Sequence, residues 1–191
     1  TRRSSDLSYE FARRCDSIRF FEQEDELGVP ESLFIVGHIY IVFDHFTENI
    51  HIFAFNYNEH KIDLEEAVEK FIKRFNDMDF SYVDEGETHF DYKMLTDLKK
   101  SKDEYVHKVN ELKKHIVDGD IIQAVPSRRV QIECKATAMQ VYGKLRKVNP
   151  SPYMFYLDFG DFQLTGASPE SLVRVRDGKA SIHPIAGTIH R

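Results

Sequence analysis

Two segments combine residue types that could hold a small ligand. Asn149-Pro150-Ser151-Pro152-Tyr153-Met154 is a rigid, extended entry to a strand, because its two prolines remove backbone donors and bias the residues before them toward extended conformations. It sets an aromatic ring and a thioether beside proline faces, a surface that suits a small aromatic ligand. A helix stop followed by packing residues would have the same composition, and residue types alone leave the two readings level. Pro184-Ile185-Ala186-Gly187-Thr188 places small side chains where backbone N–H groups can approach a ligand closely, with the Thr188 hydroxyl as a directed donor. Such a loop suits an anion, above all a carboxylate. A plain turn at a strand end is the alternative, slightly favoured on residue types alone.

Other chemistries find less support. The chain has nine histidines, but none forms a His-x-x-x-His pair and no Cys or carboxylate cluster surrounds them, which argues against zinc. Asp44-His45 is not an acid and base pair, since adjacent strand residues point to opposite faces. It reads as a strand end entering a turn. The glycines are scattered singly, with neither a Gly-x-Ser-x-Gly elbow nor a Walker loop, so nucleotide chemistry is unsupported. Arg128-Arg129 could clamp a carboxylate, but on a strand the two would face apart, and a solvated edge with no assigned role is the expectation.

The elements that must position these segments follow from periodicity. Phe34 to Phe43 and Ile50 to Tyr57 are β-rich runs separated by Asp44 to Asn49, a hairpin connection. Leu64, Ala67, Val68, Phe71, Ile72 and Phe75 share one helical face, with Asp63 and Glu66 spaced as a capping box. A second helix is expected from Ser101, with Glu104 at the box position, a stripe of Val106, Val109, Leu112 and Ile116, and Gly119 as its stop. Ile121 to Ile132 is β-rich but interrupted by Pro126, hence an edge or bulged strand. A third helix is expected from about Thr137 to Val148, burying Met139, Tyr142 and Leu145. Strands then follow as a meander over Tyr153 to Phe159, Phe162 to Thr165, Ser171 to Arg176 and Lys179 to His183, with Asp177-Gly178 as a type I′ turn. Helices beside antiparallel hairpins, without regular βαβ alternation, define an α+β class.

Composition bounds the remaining possibilities. The 191 residues are 41% hydrophobic and 30% charged, with 26 Lys+Arg against 32 Asp+Glu and a net charge of −6. Scattered cations on an acidic chain do not make a phosphate-binding footprint, so no nucleic-acid partner is expected. The longest apolar runs fall far short of the ~20 residues needed to cross a bilayer, so no membrane partner is expected. Cys15 and Cys134 lie far apart, which fits a reducing, cytoplasmic setting. One continuous domain over 1–191 is expected, with more charge before about Ser101 than after it. The chain opens on Thr1 and closes at Arg191 where a connection should continue; both ends are read as cut.

Asp118 to Arg129, Asn149 to Met154, Gly166-Ala167-Ser168-Pro169-Glu170 and Pro184 to Thr188 occur in the order and approximate spacing of the chorismate-utilising enzymes. The chain resembles that family, and within it the anthranilate synthase component I branch, strongly over 101–191. Over 1–100 the likeness rests on Ser8-Tyr9-Glu10, Glu22, Pro30 and Val42 to His45. Sibling enzymes differ at two positions: aminodeoxychorismate synthases carry lysine where this chain has Ala186, and isochorismate and salicylate synthases carry lysine at Gln123. Both residues here point to the anthranilate branch.

The resemblance implies a fold of two antiparallel sheets between helical layers. The implied reaction adds ammonia to chorismate and eliminates pyruvate, with Mg²⁺ as cofactor and a glutamine amidotransferase subunit as the ammonia source. Gly187 and Thr188 match positions that contact chorismate, while Pro152, Tyr153 and Met154 match part of the site through which L-tryptophan inhibits. A Leu-Leu-Glu-Ser-like motif that completes the tryptophan site is not in the chain. Nor are the family's Mg²⁺ ligands, its catalytic histidine, or the Arg and Tyr that hold the enolpyruvyl carboxylate. On that basis the 191 residues alone are expected to be a catalytically silent first part of the domain; a non-catalytic tryptophan-binding module and a sibling chorismate enzyme are the alternatives.

Overall fold

The computed structural model describes residues 4–21, 25–58, 61–77 and 90–185, the side chains of 4–7 excepted. The chain divides into two compact units, one made of Thr1–Asp84 with Leu157–Gln163, the other of Glu85–Tyr156 with Leu164–Arg191. The class is α+β: helices stand beside short strands that pair in antiparallel twos among the described residues.

In the first unit β1 (Ser4–Leu7) pairs with β2 (Ser32–Ile35), and α1 (Ala12–Cys15) lies between them in sequence. The guanidinium of Arg13 and the Nε of Arg14 both reach Glu31. β3 (Ile39–Asp44) and β4 (Asn49–Ala54) form the expected hairpin, in register from Ile39↔Ala54 to Asp44↔Asn49. The expected strand Phe34 to Phe43 is therefore two strands. Its first part turns to β1, and the break at Val36-Gly37-His38 lets Tyr57 donate to the Gly37 carbonyl. The Asp44 carboxylate accepts from the N–H groups of Phe46 (2.9 Å) and Thr47 (3.3 Å), so Asp44 serves the turn. α2 (Leu64–Asn76) starts where Asp63 accepts from the Glu66 N–H at 3.0 Å. Leu64, Ala67, Val68 and Phe71 of its stripe are half-buried, whereas Ile72 and Phe75 are exposed.

In the second unit β5 (Tyr92–Met94) pairs with β6 (Ile132–Cys134), and α3 (Leu98–Asp118) runs between them in sequence. The helix starts before the expected Ser101. Asp97 accepts from the N–H groups of Lys99 and Lys100 at 2.9 and 3.0 Å, leaving Ser101 inside the first turns and half-buried with Tyr105, Val109 and Leu112. Val106 and Ile116 are exposed. Gly119 ends the helix in the left-handed region (φ 84°), as expected of a residue without Cβ. Ile121 to Gln131 is not a strand. Arg128 folds back to donate to Ser101 Oγ (2.9 Å) and the Leu98 carbonyl (3.1 Å), and this tie overrides the β propensity of the run. α4 (Ala138–Val148) has Tyr142 and Leu145 half-buried but Met139 exposed. β7 (Tyr153–Asp158) pairs with β8 (Gln163–Ser168), Leu157–Gln163 of this hairpin belonging to the first unit, and β9 (Arg174–Arg176) pairs with β10 (Lys179–Ser181), as separate pairs rather than one continuous meander.

Among the described residues no side chain is fully buried, and large apolar groups stay open, with Phe46 and Ile122 each 97% exposed. Among the same residues no helix is long and apolar enough to cross a membrane.

Candidate substrate and effector site

The Asn149–Met154 segment is set by the helix before it. Thr137 Oγ1 accepts from the Gln140 N–H (3.3 Å) while Gln140 Oε1 accepts from the Thr137 N–H (2.9 Å), a reciprocal capping box that fixes the start of α4. At the other end the Asn149 N–H donates to Leu145 O at 2.8 Å, and Pro150 and Pro152 prevent further helix. The chain enters β7 with Met154 half-buried and Pro152 and Tyr153 on the exposed side. Tyr142 of α4 meets Tyr156 edge to face, with centroids 6.3 Å apart, so helix and strand share an aromatic contact. Phe155 lies across Gly166, where an added Cβ would fall on its ring.

Long-range polar bonds then gather this region. Ser151 Oγ donates to the Ser168 carbonyl. Tyr153 Oη accepts from Arg174 Nη2 at 3.3 Å, which orients the exposed ring. Asp177 (φ 51°) and Gly178 (φ 73°) both adopt positive φ, forming the expected tight turn that returns the chain through β10 toward Ile185. There the Ile185 N–H donates to Glu170 Oε1 at 2.8 Å. The Ser168 hydroxyl donates to Glu170 O (3.1 Å) and accepts from the Glu170 N–H (3.4 Å). The structure thus brings Ser151, Ser168, Glu170 and Ile185 together, and Tyr153 with Arg174. Ala186, Gly187 and Thr188 lie outside the described residues.

Glu170, Arg174 and Arg128 have placements that residue spacing did not assign. Glu170 lies in the Gly166–Glu170 motif, but its partner is 15 residues away; Arg174 and Arg128 reach partners 21 and 27 residues away. No local pattern encodes such pairs. Gln123 is exposed just beyond α3. At the end of that helix His115 Nδ1 and Asp120 Oδ2 lie 2.7 Å apart, and this bond holds the imidazole pKa above its ordinary 6.5. The Asp158 carboxyl is held below its usual 3.8, first by the Gly160 N–H and then by the Gln163 side chain. Among the described residues no three His, Cys, Asp or Glu side chains gather as a metal site.

Residues 6–191 match the family described as chorismate binding enzyme, and the chain belongs to that family. Its relatives narrow the likeness. The chain is 41% identical over 186 residues to anthranilate synthase component 1 of Spirochaeta aurantia, covering 97% of this chain and 39% of the relative. It is 35% identical over 189 residues to the probable anthranilate synthase component 1 of Schizosaccharomyces pombe, covering 92% and 38%. The crystal structure of anthranilate synthase component I from Streptococcus pneumoniae TIGR4 superposes with a TM-score of 0.72 at 30% identity, covering 93% of this chain and 40% of that one. The chain therefore spans about two fifths of the length of the curated relatives it matches.

Proposed function

We propose that these 191 residues are part of an anthranilate synthase component I. The observation that carries this reading is that the likeness to proteins of that name runs along nearly the whole chain rather than over one motif. In the complete protein, ammonia would replace the ring hydroxyl of chorismate as water, and loss of pyruvate would then aromatise the ring to anthranilate. That is carbon–oxygen lyase chemistry. Ammonia is already a competent nucleophile, consistent with Gln123 and Ala186 where sibling enzymes carry lysines. It would come from glutamine through an amidotransferase partner, in the cytoplasm.

Gly187 and Thr188 would contact chorismate, and the bond from Ile185 to Glu170 supports the reading by fixing the entry to their loop. Pro152, Tyr153 and Met154 would form part of an L-tryptophan effector surface, with the Tyr153 ring oriented by Arg174. Mg²⁺ would be held by residues beyond those of this chain, where its charge can neutralise a substrate carboxylate. The 191 residues alone are therefore expected to be silent. Product analysis tests the reading. The complete protein with chorismate, ammonia and Mg²⁺ should yield fluorescent anthranilate and pyruvate, whereas isochorismate or aminodeoxychorismate as the end product would replace it with a sibling activity.

A further inference from the structure

The segment that follows α3, residues 121–127, is held at its two ends. At the front, the Asp120 N–H donates to the His115 carbonyl at 2.9 Å and the Asp120 carboxylate lies 2.7 Å from His115 Nδ1, so the chain leaves the helix bound twice to one residue. At the back, Arg128 donates from Nε to Ser101 Oγ (2.9 Å) and from Nη2 to the Leu98 carbonyl (3.1 Å), at the opposite end of the same helix. Three residues on, the Gln131 N–H donates to Thr96 Oγ1 at 2.8 Å and its carbonyl accepts from the Leu95 N–H at 3.0 Å. Between these anchors, residues 121–127 make no hydrogen bond among the described residues. Ile121, Ala124 and Pro126 are half-buried, whereas Ile122, Gln123, Val125 and Ser127 are exposed. Pro126 fixes its own φ and biases Val125 toward extended backbone, which stiffens the rear half. The segment is a strap from the last turn of α3 to its first, and its end ties set where Gln123 stands.

We propose that Arg128 is a positioning residue for Gln123: by pinning the rear of the strap to the first turns of α3, it sets where the Gln123 carboxamide meets the incoming ammonia. The proposal rests on the reading of Gln123 given above. A neutral carboxamide oxygen can accept a hydrogen bond from ammonia and orient its lone pair, which a lysine ammonium cannot do. Arg128 acts through the backbone of the strap. It serves a hydroxyl and a carbonyl at once, which suits a guanidinium fork and not the single ammonium of a lysine.

The test is steady-state kinetics of the complete protein with chorismate, Mg²⁺ and ammonium, followed by anthranilate fluorescence. Arg128→Met should lower kcat/KM for ammonia about 10- to 100-fold, the scale of a displacement on the order of 1 Å, with KM for chorismate unchanged. Ser101→Ala, which removes one of the two Arg128 acceptors, and Arg128→Lys, which keeps a donor without the fork, should lie between, and they carry the test where Arg128→Met is too unstable to assay. Gln123→Ala should itself lower kcat/KM for ammonia. Adding Arg128→Met to it should then cost nothing further, because a residue that acts through Gln123 has nothing left to place. An Arg128 that only holds the fold would lower kcat equally with and without Gln123 and leave both KM values unchanged. That pattern, or full ammonia kinetics in the Arg128 and Ser101 variants, overturns the inference and leaves the reading of Gln123 intact. Full ammonia kinetics in Gln123→Ala overturns that reading and the inference with it.

Discussion

Two hairpins are held on opposite terms. β3–β4 is a complete antiparallel ladder whose turn is served by Asp44 acting on residues two and three positions away. Its longer bonds close its own open end, from His38 to the Phe55 carbonyl and from Tyr57 to the Gly37 carbonyl. β7–β8 is flanked instead by side chains that hold segments outside the hairpin: Ser151 to Ser168, Arg174 to Tyr153 and Glu170 to Ile185. A hairpin that only has to exist can be specified by near neighbours. Around β7–β8, polar side chains fix backbone far along the chain.

The largest mutational effect on this contrast is expected at Gly166. Gly166→Ala drives a Cβ into the Phe155 ring and should cost about 1–3 kcal/mol in chemical denaturation, the usual range for overpacking. Phe155→Ala in the same chain should recover part of the loss, because the obstacle is the ring. Next comes the cap at the start of α4: Thr137→Ala should cost about 1 kcal/mol and lower helical circular dichroism. Asp44→Ala, by contrast, should disturb only amides of the β3–β4 turn in an NMR spectrum, leaving those of Ser151, Ser168 and Ile185 unchanged.

Acid and base should act on different bonds. The carboxyls of Asp44 and Asp158 are both held below 3.8, Asp44 first by the Thr47 side chain and then by the backbone of Phe46 and Thr47. A depressed carboxyl contributes stability that is present above its unfolded pKa and lost as pH falls through the folded value, so both turns should loosen only in strong acid. His115 has the opposite sign. Its pKa is raised by the bond to Asp120, with desolvation opposing and Asp120, Asp118 and Glu111 adding favourable charge. Its contribution is complete below 6.5 and is lost as pH rises through the folded value. These are the smallest effects, since Asp158 and His115 are exposed and Asp44 is only half-buried. Histidine NMR titration checks the last, and Asp120→Asn should move the His115 midpoint down.

What could be read in the sequence follows the same division. The Asp63 start of α2, the Gly119 stop and the Asp177-Gly178 turn are local signals, and the chain obeys them. The start of α3 was hidden because Asp97 is followed by Lys99 and Lys100, which blur the apolar period before Ser101. Ile121 to Gln131 has strand composition but answers to Arg128, whose partners lie on another element. Within the candidate site, Pro152, Tyr153 and Met154 stood out by residue type. The bonds from Ser151, Glu170 and Arg174 did not, because a pairing across 15 to 21 residues leaves no periodic trace.

The long-range tie at Ile185 tests this division most directly. Amide hydrogen exchange of Ile185, followed by NMR in this chain and in Glu170→Leu, reports on a single bond between a carboxylate and a backbone N–H. Exchange should be slowed in the unmodified chain and Glu170→Gln, and should approach the free-peptide rate in Glu170→Leu. An Ile185 amide that already exchanges at the free-peptide rate in the unmodified chain would contradict it.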